Sequence, residues 1–282
     1  MTNICGLECF FCPPSSKKSD IMDLELFDTI CHQAKEFTNE IYLHLLGDPL
    51  VLSNLQDYLD IAYKYSLKVN ITTSGFYLKK EIFTILVHPS IKQVNISLNS
   101  FNANKTSKNF DEFIDTIMDF CDFKQKSANN IFINLRLWNI DKTSSAYIYN
   151  QKVIQKLKEF FELEHINLSS SKDRQRLANK VILSFDEYFE WPSLNNRYYE
   201  EKGFCLGLKS HIAITCSGDV VPCCLDKDAI INLGNLHSQD LKEILYSPKT
   251  QAIIDSFKEG FALQELCKHC SFKARFSQKL TT

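Results

Sequence analysis

Three cysteines fall within the first twelve residues, in the stretch NICGLECFFC, spaced Cys5-x3-Cys9-x2-Cys12. Thiolates are metal ligands. Three of them with no histidine nearby in sequence do not complete the four-ligand shell of structural zinc. A [4Fe–4S] cluster normally takes one cysteine per iron, so three would leave one iron open to a substrate or cofactor. A distant fourth ligand, and zinc with it, remains the alternative. A second group lies far along the chain: Cys205, Cys216, Cys223, Cys224, Cys267 and Cys270. Cys31 and Cys121 stand alone in apolar helical patterns and read as buried, inert thiols.

The 282 residues are 44% hydrophobic and 23% charged, ordinary for a globular protein. Thirty-two basic and 34 acidic residues leave a net charge of −2, which argues against a surface that coats nucleic acid. No apolar run approaches the roughly 18 residues of a membrane span. The N-terminus lacks the basic-then-apolar pattern of a secretion signal. A cytoplasmic location is therefore expected, without membrane association. In that reducing compartment, clusters among eleven cysteines point to metal or redox chemistry rather than disulfides.

The elements that must position these residues alternate from residue 22 to about 168. Helical spacing in MDLELFDTICHQAKEF, NLQDYLDIAYKY, EIFTILV, NFDEFIDTIMDFC and NQKVIQKLKEFFE is interleaved with strand-like EIYLHLL, LKVNITTSG, QVNISLNS and NIFINLRLWN. Such alternation predicts βαβ units and a parallel sheet. The strands are two-faced. Val69, Ile71 and Thr73 oppose Asn70, Thr72 and Ser74; Val94, Ile96 and Leu98 oppose Asn95, Ser97 and Asn99; Ile133, Leu135 and Leu137 oppose Asn134, Arg136 and Trp138. Helices must cover the apolar face, so the polar face lines an interior. Its repetition favours a chamber for a polar ligand over side chains that merely bond one another. Beyond about residue 170 the rhythm breaks. HIAITCSGDVVPCC reads as a hairpin, followed by helices over Leu241–Tyr246 and Lys249–Phe257.

Cys5-x3-Cys9-x2-Cys12, with Phe11 before the last thiol, resembles the signature of the radical S-adenosylmethionine (SAM) superfamily. The resemblance implies an α/β fold with a partial (β/α)6 barrel. It also implies a [4Fe–4S] cluster whose open iron chelates the amino and carboxylate groups of SAM, and a 5′-deoxyadenosyl radical that abstracts hydrogen from an unactivated C–H. The family's Gly-Gly-Glu-Pro-like motif is similar to LLGDPL, giving Gly47, Asp48 and Pro49, with Leu46 for the first glycine and Asp48 for the glutamate. By the same resemblance Thr73 and Ser74 are ribose candidates, Ser97 and Asn99 match an SLD-like SAM contact, Arg136 faces the SAM carboxylate, and Phe11 joins the SAM site. Only Met1–Ile4 precede Cys5, too short for the usual leading strand, so an extended N-terminus is expected to raise stability.

Cys205, Gly218, Cys223 and Cys267-x2-Cys270 resemble the twitch module, a shortened SPASM domain with one auxiliary iron–sulfur cluster. The resemblance implies a second [4Fe–4S] site on Cys205, Cys223, Cys267 and Cys270, in a small α+β module over 191–282 after a barrel over 1–190. It further implies a reductant such as flavodoxin or ferredoxin. Cys216 and Cys224 are left as candidate hydrogen donors or spare thiols. His44 reads as a core histidine, with proton acceptance from substrate as the alternative, and DEYFEW (186–191) as a solvated loop or the cavity mouth. Four auxiliary ligands leave no open iron there, which implies electron transfer and a net oxidation: alcohol dehydrogenation, or modification of a peptide or RNA. The motif at residue 5 leaves no peptide-recognition domain ahead of it, favouring a small molecule, and the neutral charge disfavours RNA. A non-catalytic iron–sulfur or zinc protein is the competing class; it has no need of Gly47-Asp48-Pro49 or the polar strand faces.

Overall fold

The structure is a computed structural model that describes residues 1–14, 18–127, 129–139, 144–166 and 174–277. Its main sheet has six strands: β1 (Glu40–Tyr42), β2 (Lys68–Thr73), β3 (Ile91–Ser97), β4 (Phe132–Leu137), β5 (Arg174–Ala178) and β6 (Val181–Phe185), in the order β1-β2-β3-β4-β6-β5. All neighbours are parallel except β5, which pairs antiparallel with β6. The six-stranded α/β sheet is thus present, with its sixth member supplied by a hairpin. That hairpin escapes the sequence pattern because its turn, Asn179-Lys180, lacks glycine; Lys180 adopts φ +57 itself.

Helices α1 (Leu24–Ala34), α2 (Leu55–Lys64), α3 (Asn99–Asn102), α4 (Phe110–Lys126) and α5 (Ser144–Phe161) accompany this sheet. Asp23 starts α1 by accepting Leu26 N–H at 2.7 Å, and Asn109 starts α4 by accepting Asp111 N–H at 2.7 Å. Their apolar stripes, including Leu26, Phe27, Phe113, Ile117 and Phe120, bury the Val69–Ile71, Val94–Ile96 and Ile133–Leu135 face. EIFTILV forms two 3₁₀ turns, Lys80–Ile82 and Ile85–Val87, instead of one helix.

The polar face divides into two sets. In the first the side chains satisfy one another: Asn134 Nδ2 donates to Asn95 Oδ1, Ser184 Oγ to Asn134 Oδ1, and Asn95 Nδ2 to Ile71 O. That part is a buried polar ladder, not a ligand surface. The second set, Thr72, Ser97 and Arg136, lines a cavity.

No sheet strand precedes Cys5 among the described residues. Thr2 makes an isolated bridge to Ile21, and Met22 N–H bonds Met1 O. The C-terminal part carries β7 (Ala213–Ile214), β8 (Asp219–Val221) and β9 (Gly234–Asn235), an antiparallel trio, with α6 (Leu241–Leu245), α7 (Pro248–Lys258), α8 (Glu265–Lys268) and α9 (Ala274–Ser277). Gln33 on α1 bonds both ends of the joint to α6, donating to Asp240 and accepting from Leu241 N–H. Arg275 on α9 reaches back to the Asp186 carboxylate at 3.1 and 3.2 Å.

Candidate active site

The cysteine loop is folded onto the motif after β1. Tyr77 donates its hydroxyl to Cys5 O at 2.7 Å, and Asp48 N–H bonds Ile4 O at 2.8 Å. Gly47 has φ +83, and a Cβ there would lie 2.4 Å from Thr2 O. Glycine is therefore required where the two segments meet, for conformation and for space. Asp48, 1% exposed, accepts four hydrogen bonds: from Leu50 N–H, Thr73 Oγ1, Ser74 N–H and Ser74 Oγ, at 2.6 to 3.0 Å. Pro49 then opens a 3₁₀ turn.

This arrangement changes the reading of Thr73 and Ser74. Their hydroxyl protons are given to Asp48, so their work is to hold the loop rather than to present free donors to a ribose. Thr72, one position earlier, lies outside the family motif. Its Oγ1 is buried with no partner and lines the cavity. The strand alternation had already put it on the polar face. Ser97 and Asn99 line the same wall, with Asn99 Oδ1 accepting Trp138 N–H at 3.5 Å.

Two further buried nitrogens lack partners there: Arg136 Nε and His44 Nδ1. The Arg136 guanidinium stacks 4.4 Å from the Trp138 ring centre. Burial, then the charge of Arg174, pulls it down to about 10, so it stays cationic at neutral pH. His44 is not the hydrogen-bonded core histidine expected: it lines the cavity with Nδ1 unsatisfied. Burial, then the charges of Arg136 and the Met1 amino group, lowers it to about 4, so the ring is neutral at pH 7.

Because the unfolded ring titrates near 6.5, the unfolded chain binds an extra proton between these values. The corresponding stability is complete above about pH 6.5 and is lost as pH falls towards 4, by up to about 3 kcal/mol. Urea unfolding of wild type and His44→Gln at pH 7.5 and pH 5 measures it; the variant is expected to lose less on acidification, and equal losses would refute the burial of this ring.

The stretch 186–191 is not a solvated loop. Tyr188 stacks on Phe11 at 5.0 Å and meets Phe10 edge-on at 5.2 Å, and Asp186, Glu187, Phe189 and Trp191 line the cavity. Phe11 is thereby part of an aromatic wall beside Cys12.

The thiols form two sets on this one cavity of ≈ 970 Å³. In the first, burial and the Asp48 charge push Cys5 up to about 11, and hydrogen bonds to Cys12 and Asn104 bring Cys9 down to about 7. In the second, burial pushes Cys223 up to about 12, reinforced by the neighbouring thiols of Cys224 and, more weakly, Cys205 and Cys270. Cys267 is raised by burial and by Cys223, Cys205 and Cys270. Cys224 lines the cavity but couples only to Cys223 in these sets, and Cys216 lies outside the lining near the Met1 amino group. Mutually repelling thiols in a buried site are held as thiolates by a cationic centre. The buried Lys273 donates to Glu200 O and Cys267 O beside the second set, and burial pulls its amine below the ordinary lysine range. Three thiols of the first set and four of the second line one cavity, a donor set that fits iron–sulfur clusters, and the unpartnered Thr72, His44 and Arg136 atoms fit a polar ligand in the same cavity.

Residues 1–141, half of the chain, match the profile of the radical SAM superfamily. The chain belongs to the radical SAM superfamily. Residues 205–271 of this radical SAM enzyme match SPASM, described as an iron–sulfur cluster-binding domain. The enzyme is similar to the S-adenosyl-L-methionine-dependent 2-deoxy-scyllo-inosamine dehydrogenase of Niallia circulans, at 20% identity over 95% of this chain and 88% of the other. Its fold is similar to that of BtrN in complex with AdoMet and 2-DOIA (TM-score 0.61, 17% identity, 96% of this chain and 89% of that one). It also resembles anSMEcpe with bound AdoMet (TM-score 0.60, 17% identity, 96% and 84%) and SuiB of Streptococcus suis (TM-score 0.57, 18% identity, 95% and 69%). The family brings [4Fe–4S] clusters and SAM as cofactors. No described helix is long and apolar enough to cross a membrane.

Proposed function

We propose that this radical SAM enzyme dehydrogenates a secondary alcohol on a small, polyhydroxylated substrate, in the reducing cytoplasm and with a flavodoxin- or ferredoxin-type reductant. The observation that carries this reading is the single cavity onto which both cysteine sets open, with an unpartnered neutral histidine among its lining residues. Cys5, Cys9 and Cys12 are assigned to the SAM cluster, and Cys205, Cys223, Cys267 and Cys270 to the auxiliary cluster, across a division into a 1–190 barrel and a 191–282 module. When bound and reduced, the SAM cluster supplies a 5′-deoxyadenosyl radical that takes a hydrogen atom from substrate.

The chain's own residues then have distinct tasks. Arg136, held flat by Trp138, binds the SAM carboxylate, and Thr72, Ser97 and Asn99 supply hydrogen bonds to the rest of SAM. The Gly47-Asp48-Pro49 loop offers backbone carbonyls to its amino group. Phe11 and Tyr188 close the wall and exclude water. His44 Nδ1 accepts the substrate hydroxyl proton once the carbinol C–H has lost its hydrogen atom. One electron leaves with that hydrogen atom, and an auxiliary cluster held by Cys205, Cys223, Cys267 and Cys270 would supply the acceptor for the second, so that the alcohol becomes a ketone. With four thiols assigned to that site, no position there is left for the substrate.

The test uses 2-deoxy-scyllo-inosamine, deuterated at its carbinol carbons, with the reduced holoenzyme and SAM. Ketone formed one-for-one with deuterated 5′-deoxyadenosine is expected. Absence of both would overturn the reading. A second reading, action on a peptide, is favoured by one observation: an additional pocket of ≈ 630 Å³ beyond the aromatic wall, lined by Phe10, Tyr188 and Trp191. It would take over if short aromatic peptides, and no cyclitol, protected the holoenzyme against thermal unfolding.

A further inference from the structure

We propose that Asn104 is a positioning residue that sets the reduction potential of the SAM-binding cluster through an N–H···S hydrogen bond to Cys9. Asn104 Nδ2 lies 3.0 Å from Cys9 Sγ, across 95 residues of sequence. Its orientation is dictated by its other partners. The Glu8 backbone N–H can only donate, and it meets Asn104 Oδ1 at 2.9 Å. The amide nitrogen must therefore face the sulfur, with one of its two hydrogens on Ser100 O at 2.7 Å and the other left for Cys9.

The support beneath Asn104 is an aromatic cluster. It follows α3, whose Phe101 packs against Phe113, Phe76 and Tyr149 at 5.0 to 6.1 Å. The core thus places the segment that carries Asn104, while Ser100 O and the Glu8 N–H of the cysteine loop orient its amide.

An electron added to an iron–sulfur cluster spreads onto the thiolate sulfurs, and a hydrogen bond to one of them stabilises the reduced form. Asn104 accordingly makes the cluster easier to reduce and leaves less driving force for cleaving SAM. This holds for any substrate, and rests only on the assignment of Cys9 as a ligand of that cluster.

The test is an EPR-monitored redox titration of the reconstituted holoenzyme, following the cluster whose signal changes when SAM is added. Asn104→Ala and Asn104→Leu are both neutral and remove the donor. Each is expected to retain the SAM-responsive signal with a midpoint at more negative potential than wild type. An unchanged midpoint would overturn the proposal. So would loss of that signal from both variants with the auxiliary signal intact, since Asn104 would then be holding the loop and not tuning the sulfur. Cys9→Ala separates the underlying assignment: if it keeps the SAM-responsive signal, Cys9 is not a ligand, and the proposal falls with that assignment.

Discussion

Reduced anaerobically after reconstitution with iron and sulfide, the wild-type enzyme is expected to convert SAM to 5′-deoxyadenosine, and Cys9→Ala to abolish the conversion. The expectation follows from where the three thiols stand. The first Cys loop is tied down at Cys5 by Tyr77 and at Ile4 by Asp48, and Cys9 receives Asn104 and Cys12. Three ligands leave one iron for SAM, and a loop with two ligands cannot hold a four-iron cluster in that form. Iron should fall from about eight per chain to about four, because the second thiol set is separate. Cys267→Ala should show the complementary loss, retaining SAM cleavage while failing to yield ketone. A wild-type preparation making no 5′-deoxyadenosine above the Cys9→Ala background would refute the assignment of Cys5, Cys9 and Cys12. About four irons in wild type would mean that one set is misassigned.

Asp48→Ala is expected to destabilise the fold by on the order of 3–5 kcal/mol and to remove SAM binding together with it. Removal of the carboxylate strands two backbone N–H groups and two hydroxyls at once, those of Leu50, Ser74 and Thr73. It also frees the loop whose backbone meets Ile4 and Thr2, so the cysteine segment loses its floor. Asp48→Asn keeps one accepting oxygen but turns an amide donor towards at least one donor, and should cost about 2 kcal/mol. Chemical denaturation measures both, with equilibrium dialysis of SAM on the folded fraction. A loss under about 1 kcal/mol with SAM binding intact would show that the carboxylate does not organise this loop.

Much of this site is legible in the chain because its chemistry is local in sequence. Cys5, Cys9 and Cys12 share one loop, Gly47-Asp48-Pro49 is contiguous, and a period of two places Thr72, Ser97 and Arg136 on one face whatever surrounds them. Thr73 shows the limit of motif matching. The alternation sets it with Val69 and Ile71, and its hydroxyl turns to Asp48. The β5–β6 hairpin was hidden because Lys180 takes the left-handed turn position with no glycine to announce it.

Residue types and spacing by themselves determined the Cys5–Cys12 thiol set, the α/β sheet and the two-faced strands, since each depends on neighbours a few positions apart; the radical SAM class and the second cluster site followed from the family resemblance those motifs carry. Tertiary structure alone decided which polar side chains are spent on one another and which are left over. The Asn95–Asn134–Ser184 ladder closes on itself, whereas His44, Thr72 and Arg136 keep buried atoms without partners. It also turned the 186–191 stretch into a wall against Phe11 and brought Asn104 to Cys9. Hydrogen-bond satisfaction and aromatic packing are settled between strands and loops far apart in the chain, and no local pattern records them.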